Sequence, residues 1–168
     1  MAETGESFAH TYAPGELSLE DENVRLIGEA SVEGRASRKR DEVKVKGIIR
    51  GAVEVACDRC LKPVAGALEV EFDAAFIPKE RAASASENVE LQEEDLAVSF
   101  YEGEAVNIDE LVREQILLAL PTRQLCREEC LGLCPTCGKD LNAEQCSCQQ
   151  GETDPRWAAL ADLKNNGN

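Results

Sequence analysis

The sequence predicts an α+β fold, with an antiparallel, barrel-like sheet, one buried helix and a cysteine-rich C-terminal module. Three observations support this prediction. Two long segments alternate apolar and polar residues and meet at a short turn, and a third segment has the periodicity of an amphipathic helix. In addition, six of the eight cysteines lie in the C-terminal part of the chain.

Composition narrows the classes of protein to which the chain can belong. The 168 residues are 43% hydrophobic, which is enough for a core, and no stretch approaches the roughly 20 apolar residues of a membrane span. The acidic start lacks the apolar region of an export signal, so we expect a cytoplasmic protein. The net charge of −15 argues against non-specific coating of nucleic acid, because that mode requires a basic surface.

The chain begins with polar, acidic residues 1–22, which we interpret as a loose N-terminal arm. The predicted α+β core covers residues 23–125 and starts with a weak strand signal at residues 24–34. In residues 43–57, apolar side chains occupy odd positions, which is typical of a half-buried strand. Gly47 and Gly51 would mark bulges or bends in that strand.

A second strand begins at Val64, with apolar residues at even positions up to Phe76. Cys57 and Cys60 lie in the turn between the two strands, so the pattern predicts a β-hairpin with a C-x2-C pair at its tip. A metal ion bound at this turn would fix the register of the hairpin.

Residues 78–105 are rich in Ala, Ser and acidic residues and predict a loop, with a short strand near residues 96–101. The following segment, residues 107–120, predicts a helix that Asn107 caps and Pro121 ends. Leucines on several sides of this helix indicate that it is largely buried.

The cysteines fall into four close pairs, a spacing that suits two thiolates on one tetrahedral metal ion. Disulfides closed over such short loops would be strained, and disulfides are rare in the cytosol. We therefore predict two structural Zn²⁺ ions and a zinc-binding C-terminal module over residues 126–150. The predicted ligands are Cys57, Cys60, Cys126, Cys130, Cys134, Cys137, Cys146 and Cys148.

Two groupings of these ligands are open. We favour one site formed by Cys134, Cys137, Cys146 and Cys148. The other site then joins Cys57 and Cys60 at the hairpin tip to Cys126 and Cys130 across the fold. Alternatively, Cys126 and Cys130 join Cys134 and Cys137. Four-thiolate zinc is coordinatively closed in either case, and closed sites are structural rather than catalytic.

Residues 151–168 predict a C-terminal helix and tail, in which Asp154 caps the helix, Pro155 occupies its first position and Trp157 packs on the core. No catalytic residue is predicted and we expect no enzymatic activity. The single histidine, His10, lies in the acidic arm as a solvated residue, so no Cys-His or Ser-His arrangement can form.

A basic segment, residues 35–50, stands out in this acidic chain. Seven cations and two acids give it a charge of +7 − 2 = +5, which leaves −15 − 5 = −20 for the remainder. A solvated sheet edge explains this pattern, and so does a patch that contacts RNA phosphates. The candidate RNA-binding residues are Arg35, Arg38, Lys39, Arg40, Lys44 and Lys46.

The order of motifs resembles the YceD family of large-subunit ribosomal RNA accumulation proteins over about residues 16–164. The resemblance rests on the C-x-R-C-L turn at Cys57, the helix that ends at Pro121, the C-P-x-C-G turn at Cys134 and the D-P-R-W segment at Asp154. The resemblance implies a non-enzymatic role in the synthesis, processing or stability of 23S rRNA. Some relatives lack the last four cysteines, which implies two separable sites.

The function that we predict is therefore that of a ribosome biogenesis factor without a small-molecule substrate. Its partners would be 23S rRNA or its precursor, a large-subunit ribosomal protein, or both. Two alternatives belong to other classes, namely a thiol redox protein and a zinc-stabilised adaptor that binds proteins and not RNA.

Overall fold

The computed structural model describes residues 4–80, 98–103, 105–148 and 156. These residues form one sheet and one helix. Apart from Arg156, the predicted C-terminal helix, including Trp157, lies outside the described residues. The elements are β1 (Thr4–Tyr12), β2 (Val24–Leu26), β3 (Ala30–Lys39), β4 (Glu42–Ala56), β5 (Pro63–Pro78), β6 (Val98–Tyr101) and α1 (Ile108–Ala119).

The sheet has the strand order β1-β3-β4-β5-β6, and β2 pairs with the part of β4 that extends beyond the start of β3. The pairs β1–β3, β3–β4, β2–β4 and β4–β5 are antiparallel, whereas β6 runs parallel to β5. The described strands do not close the sheet, so the predicted barrel-like shape is not confirmed. The prediction of an entirely antiparallel sheet is wrong at β6, because a connection longer than a hairpin precedes that strand.

The hairpin of β4 and β5 is confirmed and forms the centre of the sheet. Val45, Ile49 and Val53 are buried on one face, as their odd positions predict, and Leu68, Phe72 and Phe76 are buried on the same face from β5. The register is continuous from Val43 to Ala56, so no bulge interrupts β4.

Gly34 and Gly47, which pair across β3 and β4, have a steric role. A Cβ atom on Gly34 would lie 2.6 Å from Cζ of Phe8, and one on Gly47 would lie 2.3 Å from the Glu33 carbonyl oxygen and 2.7 Å from Cζ of Phe72. Gly47 therefore gives room to an aromatic ring and does not mark the bulge that its sequence position predicts. Aromatic rings that cover glycine in this way stabilise strand pairing.

The loose arm predicted for residues 1–22 is wrong for its described part. Residues 4–12 form edge strand β1, and Tyr12, Leu17 and Leu19 are buried in the main core. The Tyr12 hydroxyl donates to Oδ1 of Asp109 at 2.8 Å, which ties the end of β1 to the helix. An edge strand exposes most of its side chains to water, and the polar composition of this segment therefore concealed it.

The helix begins where the sequence predicts. Oδ1 of Asn107 accepts hydrogen bonds from the backbone N–H groups of Asp109 at 3.0 Å and Glu110 at 3.3 Å. Leu111 and Ile116 are buried against the sheet, but Leu118 is 71% exposed. The prediction of a largely buried helix is wrong, because α1 packs on one face only.

Candidate metal centres

The first cysteine pair lies in the turn between β4 and β5. The Cys57 N–H donates to the Lys62 carbonyl at 2.9 Å, and the Leu61 N–H donates to the Cys57 carbonyl at 2.9 Å. This tight turn requires a positive φ at Leu61, which has φ 59°. The turn thereby brings both sulfurs of the pair to one side of the hairpin tip.

The first cluster consists of Cys57, Cys60, Cys126 and Cys130, whose sulfurs lie within 4.8 Å of one another. The Sγ atoms of Cys57 and Cys130 are 3.9 Å apart, and those of Cys60 and Cys126 are 3.6 Å apart. Zn–S bonds of about 2.3 Å in a tetrahedron place sulfurs about 3.8 Å apart, which agrees with these separations. A disulfide would require about 2.05 Å.

Backbone and side-chain hydrogen bonds hold the hairpin tip to the segment after α1. The Asp58 N–H donates to the Gln124 carbonyl at 2.9 Å, and the Gln124 N–H donates to the Asp58 carboxylate at 2.7 Å. The Arg59 guanidinium donates to the Cys130 carbonyl at 2.6 Å. These hydrogen bonds therefore hold together the two segments that carry the four thiols of the first cluster.

The second cluster consists of Cys134, Cys137, Cys146 and Cys148, again with all sulfurs within 4.8 Å of one another. The Cys146 sulfur is 3.5 Å from that of Cys137 and 3.4 Å from that of Cys134. The turn repeats the first one, since the Cys134 N–H donates to the Lys139 carbonyl at 2.8 Å and the Gly138 N–H donates to the Cys134 carbonyl at 2.9 Å. Gly138, with φ 72°, occupies the place that Leu61 has in the first turn.

The thiols in each cluster differ in acidity. Burial opposes ionisation of Cys57, yet backbone N–H groups that point at its sulfur lower the pKa to about 6. Backbone N–H groups likewise lower the pKa of Cys134 to about 6. Burial and neighbouring thiols raise the pKa of Cys126 to about 12, and neighbouring thiols raise that of Cys148 to about 12. Four thiolates this close together would repel one another, and a divalent metal ion bound between them would supply the compensating positive charge.

Each cluster could therefore hold one metal ion, and the sulfurs are grouped in the way that we favoured from the sequence. The alternative, in which Cys126 and Cys130 join Cys134 and Cys137, is not the arrangement observed. The four soft donors fit zinc, and a set of four leaves no open coordination position for a substrate.

The structure divides the six candidate RNA-binding residues between two faces of the sheet. Arg35 pairs with Lys46 across β3 and β4, and Lys44 lies on the same outer face. Lys39 also lies on this face at the end of β3, next to Arg40 in the turn. Arg38 instead pairs with Val43 on the inner face, where both line a cavity of about 520 Å³.

Carboxylates partly neutralise the outer basic face. Lys46 Nζ is 2.7 Å from Asp73, and Lys44 Nζ is 3.4 Å from Glu42. Arg35 is exposed and makes no ion pair in the part of the chain that the structure describes. Lys39 is likewise exposed and without an ion pair among the described residues, so Arg35 and Lys39 are the cations of this face most available to an external phosphate.

Sequence reasoning missed a group of polar residues that connects the two clusters. The Asn142 amide lies 3.5 Å from the Cys130 sulfur and 2.7 Å from Asp140, whose carboxylate lies 2.6 Å from Lys62 Nζ. Lys62 and Asn142 lower the pKa of Asp140 to about 2. The sequence offered only a weak signal for this group, because polar residues beside a turn are usually solvated.

Comparison with known proteins identifies the family. Residues 45–164 match the YceD family, described as large ribosomal RNA subunit accumulation protein. The chain belongs to this family. Among the described residues, no helix has the length and the apolar character that crossing a bilayer requires.

YceD relatives occur in bacteria and plants. The chain is 29% identical to the uncharacterized protein YlbN of Bacillus subtilis, over 93% of this chain and 86% of the relative. It is 28% identical to an uncharacterized protein of Mycobacterium tuberculosis, over 90% of this chain and 70% of the relative. The large ribosomal RNA subunit accumulation protein YCED homolog 1, chloroplastic, of Arabidopsis thaliana is 23% identical over 76% of this chain and 46% of that protein. No solved structure matches the chain.

Proposed function

We propose that this protein is a non-enzymatic factor in ribosome biogenesis that supports the synthesis, processing or stability of 23S rRNA. The observation that carries the proposal is the match of residues 45–164 to the YceD family, whose description names accumulation of large-subunit ribosomal RNA. The plant relatives carry the same words in their names. We further propose that the protein acts in the cytoplasm, where bacterial ribosomes are assembled.

In this proposal each cysteine cluster binds one structural Zn²⁺ ion. The sulfur separations of 3.4–3.9 Å support the assignment, because they fit the edges of a zinc-thiolate tetrahedron and exceed a disulfide bond. Native mass spectrometry of the purified chain should find two zinc ions. In a separate assay, Ellman's reagent should find no reactive thiol before denaturation. Reactive thiols in a zinc-free protein would instead support the redox alternative.

The outer face of β3 and β4 is the surface proposed for RNA. Arg35, Lys44 and Lys46 are exposed there side by side, and this grouping supports contact with successive phosphates. The charge of −20 on the remainder of the chain repels RNA elsewhere, which restricts contact to a small footprint. Arg38 is not included in this surface because it faces the opposite side of the sheet.

A salt titration tests this surface. Binding of the chain to 23S rRNA fragments is compared with that of a variant in which Arg35, Lys44 and Lys46 are changed to Ala. We expect weaker binding, and a slope of log K against log salt that is smaller by about 2 to 3, because three phosphate contacts are removed.

The matched control changes Arg25, Lys79 and Lys139 to Ala, which removes the same charge from ion-paired cations that lie outside β3 and β4. Its affinity should fall less and its salt slope should stay closer to that of the unmodified chain. Equal losses in both variants would reject the outer face as the RNA site. If no fragment binds, RNA contact is rejected, and a basic ribosomal protein becomes the partner to test against the acidic surface.

A further inference from the structure

The segment between Cys137 and Cys146 belongs to the second cluster in sequence but contacts the first cluster in space. Asn142 lies in this segment, and its Nδ2 atom is 3.5 Å from the Cys130 sulfur. Oδ1 of the same amide accepts from the Leu131 N–H at 2.8 Å and from the Arg127 guanidinium at 2.8 Å. Asn142 therefore contacts a ligand of the first cluster and the backbone beside that ligand.

Asp140 fixes the orientation of this amide. Oδ1 of Asp140 accepts from the Asn142 backbone N–H at 2.9 Å and from its Nδ2 at 2.7 Å. The amide thus uses both nitrogen-bound hydrogens and both oxygen lone pairs. Because every hydrogen-bonding group has a partner, rotation of the amide would break several contacts at once.

The backbone around Asn142 is attached to the frame of the first cluster. The Leu141 N–H donates to the Gly132 carbonyl at 2.9 Å, and Leu133 forms a β-bridge with Asp140. Nζ of Lys62, which lies in the turn of the first cluster, is 2.6 Å from Oδ2 of Asp140. The loop of the second cluster consequently forms one wall of the first.

We propose that Asn142 is a positioning residue that couples metal binding at the two clusters. A metal in the second cluster fixes the loop that carries Asn142, so the amide stays on the Cys130 thiolate and strengthens metal binding at the first cluster. This inference rests on the proposed binding of one zinc ion by each cluster. Hydrogen bonds to metal ligands typically change metal affinity by about 10- to 100-fold.

The coupling contradicts the expectation of two separable sites. Separable sites would share no side chain, whereas Asn142 lies in the loop of one cluster and donates to a sulfur of the other. Coupling between binding sites is reciprocal, so metal at the first cluster strengthens binding at the second by the same factor.

Zinc release from the full-length, zinc-loaded chain tests the coupling. Excess 4-(2-pyridylazo)resorcinol captures released zinc, and absorbance reports the rate. The variant Cys146→Ser removes a ligand of the second cluster, and the remaining release phase then reports the first cluster. We expect Asn142→Ala and Cys146→Ser each to accelerate release from the first cluster about tenfold. The double variant should show no further acceleration, because both changes remove the same contact.

Two further variants make the result specific. Gln145→Ala alters an exposed amide in the same loop and should leave release from the first cluster unchanged. Asn142→Asp keeps the acceptor for Leu131, removes the donor to Cys130 and adds a negative charge beside Cys130 and Asp140, so it should accelerate release at least tenfold even if Asn142→Ala does not fold. Binding of Co²⁺ alone gives a second readout, because loss of the donor should shift the thiolate-to-metal absorption band.

The outcomes separate this inference from the proposed function. Failure of the unmodified chain to bind two zinc ions rejects the metal assignment itself. Two tightly bound ions with unchanged release in Asn142→Asp reject the coupling alone. Multiplied effects in the double variant also reject it, because they indicate independent sites.

Discussion

The two clusters are built on the same type of backbone turn, but they differ in burial and in the length of chain that they join. Three of the four cysteines of the first cluster are buried, whereas only Cys134 is buried in the second. The first cluster joins residues 66 positions apart, from Cys60 to Cys126, and the second joins residues 9 positions apart, from Cys137 to Cys146. A metal ion would therefore stabilise the whole fold at the first cluster and a single loop at the second.

The largest difference should appear when one ligand is removed from each cluster. The entropy cost of closing a loop grows with its length, and it is about 2 kcal/mol larger for a loop of 66 residues than for one of 9. We therefore expect the first cluster to contribute about 2 kcal/mol more to stability than the second. Cys60→Ser should therefore lower the free energy of unfolding at least this much more than Cys148→Ser. Urea denaturation of zinc-loaded protein measures both values, and equal losses would show that loop length does not distinguish the clusters.

Metal removal should also distinguish the two clusters. Because its ligands are more exposed, the second cluster should lose zinc to EDTA first. Hydrogen exchange followed by mass spectrometry should then show loss of amide protection in residues 134–148 before residues 57–64. The reverse order would mean that exposure of the sulfurs does not control release.

The equivalent turn positions Leu61 and Gly138 allow an exchange of residue types. A left-handed conformation costs a residue with a side chain about 1–2 kcal/mol, and substitution by glycine removes this cost. The greater freedom of glycine in the unfolded chain offsets part of the gain. Leu61→Gly should stabilise the protein by about 0.5 kcal/mol, since Leu61 is 61% exposed and loses little packing. Gly138→Ala should destabilise it by about 1 kcal/mol. Urea unfolding should give opposite signs, and two changes of the same sign would contradict the equivalence of the turns.

The smallest effect should come from the ion pair between the two regions. Lys62→Met removes the partner of Asp140, and the melting temperature should fall by no more than about 3 °C because the lysine is exposed. Folding lowers the pKa of Asp140 to about 2, so its carboxylate contributes stability above the unfolded-state pKa of 3.8 and loses it only as the pH falls towards 2. Calorimetry should accordingly find the same difference at pH 6 and pH 8. A melting-temperature difference that changes between pH 6 and pH 8 would show that the effect of Lys62 depends on a titratable group other than Asp140.

Local patterns in the sequence predicted much of the fold. Alternation identified the β4–β5 hairpin, and Asn107 and Pro121 marked the ends of α1 within a residue. The strand β1 was missed because an edge strand has little apolar alternation, and its buried Tyr12 contacts a helix 97 positions away. The parallel pairing of β6 was also missed, because strand direction depends on a connection that has no signature in the strand itself.

At the candidate site, the sequence by itself determined the candidate ligands, because close cysteine pairs are a property of spacing along the chain. Only the tertiary structure decided which pairs meet, since the first cluster requires the hairpin tip and the segment after α1 to approach across the fold. The tertiary structure also decided that Arg38 lies on the inner face of the sheet and that Asn142 contacts Cys130. Spacing fixes contacts within a turn, whereas contacts between distant segments depend on how the packed core orients them.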